Sequence, residues 1–187
     1  ITLKKLNLNS NDLIIGLVGR FDPHKNHKAF IKIIDQYKKI NSNFKCILIG
    51  ENIKDNSFLE TELDQYNLRD YFMLLEQSYN IESIYSTLDI HILTSHSESF
   101  PNVVFESLAC GVFNISSNVS DLKKIFQDKI YIYEKNEYNL VANEIYKLYR
   151  KKKSQGYLFR NNDMIKFVHS NFSINNCLSK YKNIWKK

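Results

Sequence analysis

Short runs of apolar, β-branched residues alternate with amphipathic stretches along this 187-residue chain, and that alternation limits the folds open to it. Six runs have the length and composition of buried strands: Ile14–Gly19, Phe44–Gly50, Tyr71–Leu75, Asp89–Ser95, Val112–Ser117 and Ile130–Tyr133. Helical patterns lie between or after them: His27–Ile40, Ser57–Tyr66, Ile81–Leu88, Pro101–Cys110, Ser120–Phe126, Asn136–Lys152, Gln155–Ser170 and Ser173–Lys187. Strands that alternate with helices form βαβ units. The pattern therefore predicts an α/β fold, with one Rossmann-like, doubly wound parallel sheet of about six strands and helices on both faces.

The composition is that of one ordinary globular domain covering residues 1–187. Hydrophobic residues make up 43% of the chain and charged residues 25%, and only five glycines and two prolines occur, so no linker divides it. Cys46, Cys110 and Cys177 are far apart and lack paired spacing. This disfavours a disulfide framework or a zinc site and favours a reducing cytoplasm. No apolar run approaches the roughly 20 residues that span a bilayer.

The charge balance is moderately basic, with 26 Lys+Arg against 20 Asp+Glu. Nucleic-acid binding is one explanation of such a balance. However, the densest basic run, Arg150–Lys153, falls at the end of a helical pattern, where cations suit the helix dipole. The aromatic residues are scattered and form no evident platform for stacked bases. We therefore expect no nucleic-acid partner.

The loop after the first strand contains two cations, Arg20 and Lys25, within Gly19-Arg20-Phe21-Asp22-Pro23-His24-Lys25-Asn26-His27. Ligands of open parallel sheets bind beyond the carboxyl ends of the strands. There, an arginine fork and a lysine point charge can clamp a diphosphate. A solvated loop with Lys25 on the surface is the alternative. The loop has neither a Walker A pattern nor Gly-x-Gly-x-x-Gly, which disfavours a nicotinamide dinucleotide.

A second candidate anion site lies at the start of the helix predicted over Pro101–Cys110. Pro101 suits a first helical turn, because the N–H that proline lacks would be unpaired there. The backbone amides near Ser99, Phe100 and Asn102 would then face an anion above the helix.

Two glutamates flank this helix start. Glu98 precedes the helix, and Glu106 lies one turn beyond Asn102 on the same face. A carboxylate beside a diphosphate is repelled unless it binds something else, and ribose and sugar hydroxyls can donate to it. The segment thus meets the needs of a nucleotide-sugar site. Simple electrostatic stabilisation of the helix is the alternative.

Two other chemistries are disfavoured at this segment. The spacing of Glu98 and Glu106 directs them towards different parts of a ligand, rather than across one scissile bond as in a hydrolase. No Asp-x-Asp occurs in the sequence, so a metal-bound diphosphate has no evident ligand pair. We expect no metal.

Several further residues near the strand ends are candidates. Tyr79, Asn80 and Ile81 follow the third strand and are candidates to frame a base, although a loop-to-helix junction explains them equally well. His96 is a candidate for the pocket, and His27 is expected on the exposed loop.

A family resemblance extends along nearly the whole chain. The segments that carry it are Val18-Gly19-Arg20-Phe21, Lys25-Asn26-His27, Leu48-Ile49-Gly50, Asp89-Ile90-His91-Ile92-Leu93-Thr94-Ser95, Glu98-Ser99-Phe100-Pro101-Asn102-Val103, Glu106-Ser107-Leu108-Ala109-Cys110-Gly111 and Asn171-Phe172-Ser173-Ile174. In this order they resemble the C-terminal, nucleotide-sugar-binding half of family 4 (group 1) glycosyltransferases, which have the GT-B fold. The glutamate pair around Phe-Pro-Asn is the specific signal.

The resemblance implies a role for each matching residue. Arg20 and Lys25 would hold the diphosphate of the donor, Glu98 would contact the donor sugar, and Glu106 would bind the ribose hydroxyls. The catalytic set is then Arg20, Lys25 and Glu98. The other donor-binding residues are Gly19, Ile81, Ser99, Phe100, Pro101, Asn102 and Val103. The implied enzyme is a retaining hexosyltransferase that uses a nucleotide-sugar substrate but no metal or other cofactor.

The resemblance also implies partners and a location. The donor would be a UDP- or GDP-linked sugar, and the acceptor would bind an N-terminal domain that this chain lacks. Residues 1–12 would be the remnant of the link to that domain, and a helix at 173–187 would pack towards it. Bacterial surface polysaccharide or lipopolysaccharide synthesis is implied, in the cytoplasm, with peripheral association of the full enzyme at the inner face of the membrane. A non-catalytic nucleotide- or protein-binding module on the same fold is the alternative.

Three positions depart from the family pattern. Ser99 and Ser120 stand where glycine is usual, and Phe113 replaces a common proline. We expect Ser99 to alter the local geometry of the donor site without abolishing binding.

Overall fold

One six-stranded parallel sheet organises the computed structural model, which describes Leu8 and residues 12–77, 80–155 and 160–185 of the chain. The strands are β1 Leu13–Val18, β2 Phe44–Ile49, β3 Phe72–Leu75, β4 Ile90–Leu93, β5 Phe113–Ser117 and β6 Tyr131–Tyr133. Their order is β3-β2-β1-β4-β5-β6, and every pair is parallel. The predicted doubly wound sheet is confirmed.

Both faces of the central strand β1 are buried, which explains why it is apolar along its whole length. On β1, Leu13, Ile15 and Leu17 face one cluster of core residues, whereas Ile14 belongs to another. This is the period-two alternation of a strand.

The described residues contain eight α-helices, of which the last three come after the final strand in the chain. They are α1 His27–Lys38, α2 Ser57–Gln65, α3 Ile81–Tyr85, α4 Asn102–Ala109, α5 Leu122–Phe126, α6 Tyr138–Gln155, α7 Asn162–Phe172 and α8 Ile174–Trp185. Helices α1 and α6 pack together over one face of the sheet, and α4 packs against α7 on the other.

The boundary between the last helices of the core differs from the prediction. The sequence pattern placed a helix over Gln155–Ser170, but α6 continues to Gln155 and α7 begins only at Asn162. The side chain of Asn161 caps α7 by accepting a hydrogen bond from the backbone N–H of Met164 at 3.1 Å. The polar run Lys151–Ser154 contains no helix breaker, so it extends α6.

Two predictions fall partly or wholly outside the described residues. The link assigned to residues 1–12 falls outside the described residues except for Leu8 and Asp12, and Tyr79 also falls outside them. Within the described ranges, no helix has both the length and the apolar character needed to cross a membrane.

Candidate functional site

A cavity of about 750 Å³ opens at the carboxyl edge of the sheet, above the point where the strand order reverses between β1 and β4. Such switch points are where open α/β sheets bind ligands. Residues from the ends of β1, β2, β3 and β4 and from α3 and α4 line it: Val18, Gly19, Arg20, Lys25, Ile49, Gly50, Glu51, Gln77, Ile81, Glu98, Phe100, Pro101, Asn102 and Val103. The predicted site residues are therefore all among the lining residues, except Ser99 and Glu106.

The floor of the cavity depends on close contact between the loops after β1 and β2. The backbone N–H of Gly19 donates to the carbonyl of Ile49 at 2.9 Å, and that of Phe21 donates to the carbonyl of Glu51 at 2.8 Å. A Cβ added at Gly50 would overlap the Gly19 carbonyl and lie 2.8 Å from the Arg20 backbone nitrogen. Only glycine at position 50 permits this approach.

The loop after β1 has a defined conformation that places its two cations. A 3₁₀ turn at Pro23–Lys25 is capped by Asp22, whose carboxylate accepts from the His24 backbone N–H at 2.8 Å. This hydrogen bond and the Arg20 guanidinium lower the pKa of Asp22, against desolvation, which raises it. Asn26 then takes a left-handed conformation with φ 53°, which asparagine tolerates. Its side chain caps α1 through the Ala29 N–H.

Lys25 and Glu98 meet across the cavity, although they are distant in sequence. The Lys25 ammonium donates to Oε1 of Glu98 at 2.7 Å, and the Ser95 hydroxyl donates to the same oxygen at 2.7 Å. Their side chains are 24% and 14% exposed. Because the pair is shielded from bulk water, the interaction is stronger than a surface ion pair.

Thr94 fixes the Lys25 loop to the end of β4. Its hydroxyl is within hydrogen-bonding distance of the carbonyls of Lys25, at 2.8 Å, and Asn26, at 3.1 Å. The loops after β1 and β4 therefore hold the cation and the carboxylate in a fixed relation.

Arg20 is less constrained. Its side chain is 65% exposed, and its guanidinium lies 3.4 Å from the Asp22 carboxylate. An exposed pair of this kind is weak, so the guanidinium is free to reorient towards a bound anion.

The start of α4 differs from the prediction in one respect. The helix begins at Asn102, with Pro101 as the preceding cap residue. The N–H of Asn102 donates to the Phe100 carbonyl at 3.0 Å, so this amide does not face the cavity as predicted. The Phe100 ring stacks on Phe105 with centroids 4.4 Å apart, which positions the turn.

Glu106 lies on the exposed surface of α4, one turn after Asn102 and Val103, which line the cavity. Its Oε2 atom accepts a hydrogen bond from the hydroxyl of Tyr85 at 3.0 Å. Tyr85 is the last residue of α3 and is 1% exposed.

The two serines that replace glycine contact each other. Ser99 is exposed, and its carbonyl accepts a hydrogen bond from the Ser120 hydroxyl at 2.9 Å. Ser120 has φ 53°. Phe113 is the third residue that departs from the family pattern. Its backbone N–H donates to the Asp89 carbonyl at 3.2 Å, a hydrogen bond that a proline at this position could not form.

The histidines are placed differently from two expectations. His27 is 3% exposed, so the prediction of an exposed loop position was wrong. His27 opens α1 rather than closing the loop, and its ring packs against Phe21, with centroids 5.5 Å apart. His96 lines a separate cavity of about 150 Å³ with Asn26 and Glu134, not the main one.

The described residues contain no group of three or more His, Cys, Asp or Glu side chains arranged to hold a metal ion. Charge near the main cavity comes from Arg20, Lys25, Glu51 and Glu98.

The fold and the position of the cavity define a Rossmann-like domain with a cavity at its topological switch point. The family model for glycosyl transferases group 1 matches residues 2–163. The chain belongs to this family, and the resemblance that the sequence indicated is confirmed.

Relatives and solved structures agree with this assignment. The chain is 28% identical over 146 residues to the capsular polysaccharide biosynthesis glycosyltransferase CapM of Staphylococcus aureus, covering 75% of this chain and 37% of CapM. It is also 28% identical over 118 residues to a Campylobacter jejuni N-acetylgalactosaminyltransferase named for a diphospho-undecaprenol substrate, covering 63% of this chain and 31% of that protein.

Two solved structures share the fold. A glycosyltransferase from Rickettsia africae superposes with a TM-score of 0.84 at 20% identity, covering 98% of this chain and 50% of that one. Anabaena HepE, solved in complex with UDP-glucose, superposes with a TM-score of 0.84 at 16% identity, covering 98% and 51%. This chain therefore spans about half the length of these structures, and about a third of the length of the curated relatives.

Sequence reasoning missed the residues that support the site. Ser95, Thr94 and Tyr85 position Glu98, Lys25 and Glu106 through hydrogen bonds. Ser95 and Thr94 end the β4 run, where side chains of a parallel strand reach the carboxyl edge, so their position carried a signal. Nothing in the sequence pairs Tyr85 with Glu106.

Proposed function

We propose that this chain is the donor-binding domain of a retaining, metal-independent glycosyltransferase that takes a UDP- or GDP-linked sugar. The observation that carries the proposal is the meeting of Lys25 and Glu98 in a cavity at the switch point, with Arg20 at its edge. Membership of the group 1 family and the fold shared with a UDP-glucose complex support it.

In this proposal the diphosphate of the donor lies between Arg20 and Lys25. The guanidinium offers a planar pair of donors and the ammonium offers three, of which Glu98 uses one. Negative charge develops on the leaving phosphate as the glycosidic bond breaks, and these two cations stabilise it. No metal is needed for that step if both cations contact the phosphate.

The two glutamates bind hydroxyls rather than phosphate. Glu98 already accepts two hydrogen bonds at one carboxylate oxygen, so its other oxygen is directed to the donor sugar. Glu106 binds the ribose hydroxyls at the rim. Each hydroxyl donates to an ionised acceptor, an interaction about twice as strong as one between neutral groups.

The wider biological role follows from the relatives. CapM is named for capsular polysaccharide biosynthesis and the Campylobacter enzyme for an undecaprenol-linked substrate. We infer that the whole protein builds a bacterial surface polysaccharide on a lipid-linked acceptor at the inner face of the membrane. The acceptor would bind a second domain, since this chain spans only part of its relatives.

Isothermal titration of this chain with UDP and with GDP tests donor binding. Lys25→Ala removes a charge-assisted hydrogen bond and leaves Glu98 unpaired beside the diphosphate, so affinity should fall by at least about tenfold. Lys147→Ala is the matched control. It removes the same charge from α6, where the lysine is 71% exposed and pairs with Glu144 on the helix surface.

The outcomes separate the candidate functions. Equal loss in both variants, or no heat with either nucleotide, contradicts the proposed site. Nucleotide binding by this domain, together with no sugar transfer by the complete protein, would instead support a non-catalytic binding module.

A further inference from the structure

A buried tyrosine contacts the exposed carboxylate of Glu106, which lies one helical turn beyond the cavity-lining residues Asn102 and Val103. Tyr85 is 1% exposed and packs in the core cluster that contains Ile49, Leu88 and Val112. Its hydroxyl is at the edge of this apolar environment and donates to Oε2 of Glu106 at 3.0 Å. A buried tyrosine hydroxyl needs a hydrogen-bond partner, and here the partner is a side chain that faces solvent.

The tyrosine is a permanent donor to Glu106. Burial raises the pKa of Tyr85 well above its usual value, and the negative charge of Glu106 raises it further. The hydroxyl therefore keeps its proton at neutral pH and remains a donor.

The ring of Tyr85 is itself fixed by the sheet. It contacts the ring of His91 on β4 edge-on, with centroids 5.9 Å apart. His91 Nδ1 lies 3.2 Å from Oδ1 of Asn114 on β5, and Nδ2 of that amide donates to the Ser107 hydroxyl at 2.5 Å. Ser107 directly follows Glu106 on α4.

Glu106 is thus held from two directions. Its backbone is fixed through Ser107, whose hydroxyl donates to the Val104 carbonyl at 2.9 Å, and its carboxylate is fixed through Tyr85. An exposed glutamate without such a contact samples many rotamers and loses that freedom when it binds a ligand. A carboxylate accepts about four hydrogen bonds, so the bond to Tyr85 leaves capacity for two ligand hydroxyls.

We propose that Tyr85 is a positioning residue that presents the Glu106 carboxylate to the vicinal hydroxyls of the donor's ribose. This inference rests on the proposed function, since it requires a nucleotide in the cavity. In this proposal Glu106 contacts the ribose hydroxyls, and Tyr85 acts through Glu106 without contacting the ligand itself.

Comparison of nucleotides with and without ribose hydroxyls tests this role. UDP and 2′,3′-dideoxyUDP, and the corresponding guanosine pair, are titrated into the wild type and Tyr85→Phe. The wild type should bind the ribonucleotide at least about tenfold more tightly than the dideoxy form. In Tyr85→Phe this ratio should fall to about threefold or less, with affinity for the dideoxy form unchanged.

Two variants complete the comparison. Glu106→Ala should abolish the ribose preference in the presence and absence of the Tyr85 hydroxyl. Tyr37→Phe is the matched control, because Tyr37 is also buried and hydrogen-bonded, to Asn41 at 2.8 Å on the other side of the sheet. It should leave the ratio at the wild-type value.

The ratio is informative even if a variant is partly unfolded. A smaller competent fraction reduces both apparent affinities by the same factor. An unchanged ratio in Tyr85→Phe, or no ribose preference in the wild type, overturns the role of Tyr85 while the donor site stands. Failure of the wild type to bind either ribonucleotide overturns the proposed function itself, and this inference with it.

Discussion

Two residues that depart from the family pattern are coupled in the structure. Ser120 has a left-handed backbone with φ 53°, a conformation that costs a residue with a Cβ about 1–2 kcal/mol and explains why glycine is usual there. Its hydroxyl also donates to the carbonyl of Ser99, which contributes about 1 kcal/mol. The hydrogen bond offsets much of the strain and ties the turn before α4 to the turn before α5.

The buried histidine at the start of α1 makes stability depend on pH. Burial lowers the pKa of His27 to about 4, and the charge of Lys25 lowers it further; the Gly19 backbone and Asp22 oppose this shift. Within the described residues, neither ring nitrogen forms a hydrogen bond of normal geometry. In the unfolded chain the pKa is about 6.5. Acid therefore protonates the unfolded state first.

We expect the free energy of unfolding to fall as pH drops from about 6.5 to about 4, by about 3 kcal/mol for His27 alone. His91 on β4 adds a similar dependence, since burial lowers its pKa to about 4 as well, against the hydrogen bond that its ring forms with the Asn114 side-chain oxygen, which raises it. His27→Phe fits the cluster with Phe21 and should remove about half of the acid sensitivity.

Chemical denaturation at a series of pH values measures this effect. The variant His169→Asn, at an exposed position on α7, is the control for the loss of a histidine that is not buried. A profile for His27→Phe identical to that of the wild type would show that the pKa of His27 does not change on folding, which contradicts this prediction.

At the scale of elements, α8 is the part of the structure with an uncovered apolar face. Its exposed apolar residues are Ile174, Leu178, Tyr181, Ile184 and Trp185, of which Trp185 is 85% exposed. Large apolar side chains that are exposed together on one helix are typical of an interaction surface. The expectation that residues 173–187 pack towards a further domain stays a prediction, and it requires an apolar face that is exposed in this chain, as this one is.

Leu178→Gln combined with Ile184→Gln should reduce the fluorescence of a bound hydrophobic dye by at least about half. The melting temperature and nucleotide affinity should not change, because both side chains are more than half exposed. Lys180→Gln with Lys182→Gln is the control pair on the same helix. A drop of several degrees in the melting temperature would show that the apolar face packs within this chain.

The sequence predicted the strands and helices better than it predicted which side chains are buried. All six strands were found, because each apolar run is bounded by polar turns, and Asn56 and Asn80 cap α2 and α3 as helix-start signals should. The start of α7 was placed too early because the residue that fixes it is the cap Asn161, which the spacing of the apolar residues does not mark. The burial of His27 depends on its packing against Phe21, which a single sequence does not encode locally.

At the scale of the whole molecule, the strand order brings the candidate site together. Lys25 and Glu98 are 73 residues apart in sequence, and they meet because β1 and β4 are neighbours at the centre of the sheet. The sequence indicated both residues and the family indicated their roles. Their contact with each other, and the hydrogen bonds from Thr94 and Ser95, could be recognised only once the strand order was known.

The same topology makes a whole-molecule prediction about where a ligand binds. A nucleotide sugar should contact only the carboxyl edge of the sheet, where the loops after β1, β2 and β4 line the cavity. The opposite edge is occupied by a structural ion pair, in which Lys152 donates to Asp89 at 2.7 Å. That edge should be unaffected by the ligand.

Backbone amide chemical shifts during titration with UDP-glucose and GDP-mannose test this central claim most directly. We predict saturable shifts at Gly19–Asn26, Gly50–Glu51 and Glu98–Glu106 with at least one donor, and no shifts around Asp89 and Lys152. Shifts confined to the opposite edge of the sheet, or no saturable shifts with either donor, would contradict the account.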